Sequence, residues 1–166
     1  MQLRPGERGL EVDFGTDHAL VAMAKSVGRG ERIVGVDAST DMLAGTKPRV
    51  AAYRKLALIT GDARHLSLRA ASFDAAFMSF TLELFEPPDI SRVLWEVPSV
   101  LRPGGRMGIL SMAAHAQDNL GRPRRLAVGA AALGRPVRER SAGVLNPSGE
   151  ALGLRWTPAL GRCYSL

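Results

Sequence analysis

Glu11-Val12-Asp13-Phe14-Gly15-Thr16-Asp17-His18 joins a short apolar run to a helical one. Residues 9–13 predict a first strand, entered from the turn signal Pro5-Gly6. Residues 18–27 carry Leu20, Val21, Ala24 and Val27 on one side at helical spacing, and Gly28 follows as a stop. A strand that passes through a tight glycine-bearing turn directly into a helix opens a βαβ unit.

The pattern then repeats. Residues 32–37 (Ile33, Val34, Val36) predict a second strand ending on Asp37, 20 residues after Asp17. Ser39 or Thr40 can cap the helix that begins at Asp41-Met42-Leu43. Pro48 should interrupt or restart that helix, with residues 50–56 carrying it on. Leu58-Ile59-Thr60 is a third strand and residues 73–80 a fourth. Residues 90–101 are a helix with Pro98 bending it, Arg102-Pro103-Gly104-Gly105 a turn, and residues 107–112 a fifth strand. Alternating strands and helices imply an α/β fold: a Rossmann-like, doubly wound sheet, mostly or wholly parallel. Right-handed crossovers restrict the topology to a doubly wound, Rossmann-like order, expected here as about five strands in the order 3-2-1-4-5 with helices on both faces. Such sheets bind ligands beyond the strand C-termini, where the strand order reverses.

A chain of 166 residues is sized for one domain. Its single cysteine, Cys163, excludes an internal disulfide framework and any multi-cysteine zinc site, and a reducing cytoplasm is the natural compartment. His65 and His115 lack acid-spaced partners, so no metal is expected. The N-terminus has no signal-peptide run and no stretch is apolar enough to span a bilayer. The net charge of +6 raises the question of nucleic acid, but residues 1–112 hold 14 Lys and Arg against 13 Asp and Glu. The excess lies in residues 113–166, with 8 Arg and 3 acids, where only Trp156 and Tyr164 could stack on bases. A nucleic-acid partner is therefore not expected. Residues 1–112 are read as the core domain and residues 113–166 as a basic Arg/Gly/Pro/Ala-rich tail of composition compatible with poor order. Within that tail, residues 127–133 could form a helical turn, and residues 152–156 with 162–166 a small hairpin around Pro158-Ala159.

Five landmarks stand in order: the Glu11–His18 turn, Asp37, Gly61-Asp62-Ala63, Phe73-Asp74 and Leu101-Arg102-Pro103-Gly104-Gly105. Together, from Arg4 to Met112, they resemble the class I S-adenosylmethionine-dependent methyltransferases that act on small molecules such as quinone precursors. The resemblance implies S-adenosylmethionine as cofactor and a small-molecule methyl acceptor with an oxygen, carbon or nitrogen nucleophile. It implies that Asp37 receives the ribose hydroxyls, with Ala38 and Met42 beside it, and that Asp62 meets the adenine amine while Ala63 packs on the ring. Glu11 would help hold the methionyl ammonium, Asp13, Gly15 and Thr16 would form the turn under the methionyl portion, and Ser79 and Phe80 would line the transfer site. For a catalytic group the sequence offers His18 and Glu83, each equally readable as a surface residue. Asp37 taken alone could also be a helix-capping acid.

The family usually places glycine at three alternating positions in the first turn, and only Gly15 remains, flanked by Asp13 and Asp17. A non-glycine residue forced to positive φ is penalised by on the order of 1 kcal/mol. A carboxylate about 5 Å from the cofactor's own carboxylate adds ~3 kcal/mol of repulsion at an effective dielectric of about 20. The cofactor's ammonium and sulfonium act in the opposite sense. A second reading follows: a weakened or inactive methyltransferase-fold protein serving as a binding module, paired with a second copy as a homodimer. A third, an NAD(P)-dependent oxidoreductase, is disfavoured because Asp13 and Asp17 would face a pyrophosphate and no Tyr-x-x-x-Lys pair is present.

Overall fold

The computed structural model describes residues 3–27 and 32–112, together with the backbone of three strands at residues 126–132, 154–157 and 162–165. In chain order the elements are β1 (Gly9–Val12), α1 (His18–Val27), β2 (Ile33–Asp37), α2 (Thr40–Val50), β3 (Leu56–Thr60) and β4 (Phe73–Ser79). A 3-10 turn at Leu82–Leu84 precedes α3 (Pro87–Ser99) and β5 (Leu101–Met112). Strands β6 (Leu126–Ala132), β7 (Leu154–Thr157) and β8 (Arg162–Ser165) follow. Gly28 and the conformation of the tail between these strands lie outside the described residues.

The first five strands pair in parallel in the order β3-β2-β1-β4-β5, as the repeated strand–helix pattern predicts. Strand β6 adds an antiparallel sixth at the β5 edge, with Met107 opposite Ala131 and Met112 opposite Leu126. This corrects the expectation of a helical turn at residues 127–133. Small residues there leave the local preference weak, and pairing with an open strand edge decides it. Strands β7 and β8 form the expected antiparallel hairpin.

Alternate residues of each central strand enter different cores, as a two-residue period requires. Leu10, Val12, Ala76 and Met78 join Val93, Leu94 and Val97 of α3 in one cluster. Ala75 and Ile33 join Leu20, Met23 and Val27 of α1 in the other. Each fully buried aliphatic side chain contributes about 1.5–3 kcal/mol of transfer free energy, which is what seats α1 and α3 on their faces. Gly35 keeps the α1 face flat, because a Cβ there would lie 2.8 Å from Phe14 and 3.0 Å from Leu20.

Three boundaries differ from the sequence expectation, each for a local reason. Helix α2 contains Pro48 but ends at Val50, so residues 51–55 form the turn into β3 instead of continuing the helix. Pro48 cannot donate to the carbonyl four residues back, and the helix stops two residues after it, while Ser39 caps the other end by accepting the Met42 N–H at 3.2 Å. Helix α3 begins at Pro87, using the prolines as its first residues. Residues 102–105 are an irregularity within β5, where the register passes from Phe73–Leu101 to Ala75–Arg106 and Gly104 has φ 81°.

Candidate functional site

Strand β1 ends in the middle of the sheet, between β2 and β4, so its next residue emerges where strand order reverses. That residue is Asp13, whose N–H is donated to the Val36 carbonyl at 2.7 Å. The turn then places Asp13, Gly15 and Asp17 all in the left-handed region, at φ 59°, 46° and 66°. The backbone of a three-glycine turn is thus preserved with two aspartates in it. Aspartate is among the few residues enriched there, which limits the strain.

Asp37 closes the turn from the β2 side. Its Oδ2 accepts the Gly15 N–H at 3.3 Å and its Oδ1 accepts the Ser39 N–H at 2.8 Å. The same carboxylate therefore steadies the entry to α2, whose cap is Ser39, and faces a cleft. That cleft, of about 240 Å³, is lined by Asp13, Asp37, Ala38, Asp62 and Ala63, with Val12, Val36, Gly61, Arg64, Leu84 and Phe85. A larger cavity of about 880 Å³ lies at the opposite ends of the strands, among Arg8, Arg32, Arg54, Lys55 and Arg69. None of the landmark acids of the turn lines it.

The electrostatics of the cleft are acidic. Asp13 reaches toward Asp37 on one side and the Thr81 hydroxyl on the other; burial and the Asp37 charge push its carboxyl up to about 6. Glu11, on β1, is 1% exposed and its Oε2 has no hydrogen-bond partner. Burial, with Asp13 and Asp17 nearby, pushes it up to about 8. Asp17 instead finds a cation, Arg49 Nε of α2 at 3.2 Å. Asp62 is occupied differently: the Arg64 guanidinium donates to both of its oxygens, and Arg64 Nη1 continues to Asp89 of α3 at 2.7 Å. That guanidinium holds Asp62 below the usual carboxylate range.

The remaining sequence candidates stand as follows. Thr16 is exposed, with its hydroxyl 3.1 Å from Nδ1 of His18 at the start of α1. Met42 is exposed on the first turn of α2. Ser79 ends β4, and Phe80 follows at φ 56°, 45% exposed. Glu83 is tied to β5 by the Ser111 hydroxyl at 2.9 Å. Sequence reasoning missed Arg49, Arg64, Thr81, Leu84 and Phe85, which have no spacing signature. Among the described residues no group of three or more His, Cys, Asp or Glu could hold a metal, and no helix is long and apolar enough to cross a membrane.

A family profile described as "Methyltransferase domain" matches residues 10–105, which takes in β1 through the start of β5 and every cleft residue named above. The chain belongs to the class I S-adenosylmethionine-dependent methyltransferases. The chain is 34% identical over 109 residues to a demethylmenaquinone methyltransferase of Bacillus cereus (strain ATCC 10987 / NRS 248) and 35% to that of Bacillus mycoides. Those matches take in 64% of the chain and 45% of each relative, so the chain spans about half the length of the curated relatives it matches. Among solved structures, a SAM-dependent methyltransferase from Aquifex aeolicus superposes with a TM-score of 0.61 at 24% identity, over 73% of this chain and 64% of that one. Phosphoethanolamine N-methyltransferase 1 of Haemonchus contortus, solved with phosphoethanolamine and S-adenosylhomocysteine, gives 0.63 at 15% identity, over 75% of this chain and 26% of that one. At these identities the structural likeness is one of fold.

The residues present fit the family's cofactor. An orphaned, wholly buried carboxyl oxygen on Glu11 suits an ammonium donor, and a backbone-anchored carboxylate at Asp37 suits a ribose diol.

Proposed function

We propose that this methyltransferase binds S-adenosylmethionine across the tips of β1, β2 and β3 and transfers its methyl group to a small-molecule nucleophile. The observation that carries the proposal is the position of Asp37: 4% exposed, fixed by two backbone N–H groups, and lining the cleft at the switch point. Each of its oxygens retains a lone pair for a sugar hydroxyl. Glu11 would hold the ammonium, and Ala63 with Phe85 would flank the adenine.

When bound, the cofactor supplies an electrophilic methyl on a sulfonium, and the chain supplies position and exclusion of water. Leu84 and Phe85 line the cleft and Phe80 is exposed at the β4 tip, which favours an apolar acceptor. The relatives named as demethylmenaquinone methyltransferases support the same acceptor class. His18 and Glu83 remain the candidates for removing an acceptor proton.

The test is isothermal titration of S-adenosylmethionine into the full chain and into Asp37→Asn and Asp37→Ala. Binding in the micromolar range that weakens about tenfold or more in both variants is expected, the loss of a charge-assisted contact to the sugar. Wild-type affinity in both variants would remove Asp37 from the site and the proposal with it.

The reading of the chain as a weakened binding module draws on the two left-handed aspartates. The Arg49 pair with Asp17 counters half of that charge, so the active reading is preferred.

A further inference from the structure

The turn after β1 carries more negative charge than its backbone geometry demands. Glycine would adopt φ 59° and 66° without strain, yet Asp13 and Asp17 hold both positions. Asp13 lines the cleft between Asp37 and Thr81, at the centre of the switch point. Beneath it on β1, Glu11 is buried with one oxygen unpartnered, an observation that points independently to a cationic ligand.

Titratable and charged groups stand on each element beside the turn. Asp17 and His18 stand at the start of α1, Arg49 on α2, Asp37 at the end of β2, Asp62 and Arg64 after β3, and Glu83 after β4. Arg49 is engaged with Asp17, and Arg64 with Asp62 and Asp89. Glu11, Asp13 and Asp37 form the core of this acidic group, and none of the three has an ion-pair partner among the described residues.

We infer that Asp13 makes the cleft a selector of charge, holding the sulfonium cofactor in preference to the neutral thioether that methyl transfer leaves behind. The inference rests on the proposed use of S-adenosylmethionine. The two ligands differ by one methyl group and one positive charge. Contacts to adenine and ribose are the same for both, so they cannot separate the pair. An interaction proportional to charge can. Without a bound cation Asp13 keeps a proton at mildly acidic pH, because burial and Asp37 raise its carboxyl to about 6. Both ligands bring an ammonium, but the sulfonium adds a second cation that favours the ionised form of Asp13, and the thioether does not. Selection therefore strengthens as pH rises through 6, and the spent cofactor leaves more readily than the fresh one.

The experiment is calorimetric titration of S-adenosylmethionine and S-adenosylhomocysteine into the full chain and into Asp13→Asn, at about pH 5 and about pH 7. Asparagine keeps the shape, tolerates the left-handed backbone and removes the charge. The wild type is expected to favour the sulfonium ligand by about tenfold or more at the higher pH, a preference that shrinks toward parity at the lower one. Asp13→Asn should sit near parity at both, with circular dichroism checking its fold. A wild-type ratio that ignores pH overturns the inference, as does an Asp13→Asn ratio equal to that of the wild type. In those outcomes both ligands still bind, and the cofactor assignment survives. Failure of the wild type to bind either ligand overturns both.

Discussion

Replacing Glu11 with glutamine should stabilise the ligand-free protein, and by an amount that depends on pH. Glu11 is 1% exposed on the central strand, and its Oε2 has no hydrogen-bond partner. Burial first, then the charges of Asp13 and Asp17, moves its carboxyl from 4.5 up to about 8. A carboxyl that holds its proton more tightly when folded supports the fold fully below its unfolded pKa. That support is lost as pH rises through the folded value. Relative to an uncharged isostere, the folded state then carries a penalty of about 1 kcal/mol at about pH 5, about 3 at pH 7 and about 4 at pH 8. For a chain of this size, about 3 kcal/mol moves the midpoint of thermal unfolding by roughly 10 °C. Glutamine removes the titration and offers amide donors to a neighbourhood of carboxylates. Differential scanning calorimetry of wild type and Glu11→Gln across this range should give curves that lie close at low pH and diverge as pH rises. Two parallel curves, with the same gap at pH 5 and 8, would mean that Glu11 is not a buried titrating group and would refute the argument. The same substitution should weaken S-adenosylmethionine binding, so stability and function oppose one another at this position.

Two further substitutions test other parts of the fold. Glu7 accepts from both terminal nitrogens of Arg106, at 2.7 and 2.6 Å, and that guanidinium first of all holds its carboxyl below the usual range. Glu7→Gln should cost about 1–3 kcal/mol at neutral pH and much less in acid, because a depressed carboxyl stabilises above its unfolded pKa and loses this as pH falls; urea unfolding at two pH values measures it. Gly105→Ala would put a Cβ 2.8 Å from the Arg102 carbonyl oxygen, a backbone atom that cannot swing away, whereas Gly45→Ala on α2 meets open space. The first should destabilise by about 1–3 kcal/mol and the second should stabilise by up to about 1 kcal/mol, both read from denaturant midpoints.

What could be read without coordinates was local. Apolar periods of two and of three to four residues placed five parallel strands and three helices, and the Ser39 cap could be named from its position before a helical run. The landmark residues Asp37, Asp62 and Ala63 were legible because they leave strand ends that must share one edge of a parallel sheet. Crossover handedness, a property of the chain's chirality, restricted the strand orders to the doubly wound kind. The weak local signals failed: a small-residue run at 126–132 paired as a strand, and Arg102-Pro103-Gly104-Gly105 became an irregularity inside one.

Tertiary structure decided the electrostatics. Asp13 meets Thr81 across 68 positions, Arg49 reaches Asp17 across 32, and Arg64 ties Asp62 to Asp89 across 25. No periodicity encodes such pairs, because they arise only when separate βαβ units stack side by side. The same stacking removes water from Glu11 and leaves its oxygen unpartnered. A sequence records that an acid is present; the dielectric around it, and so its charge, belongs to the folded molecule.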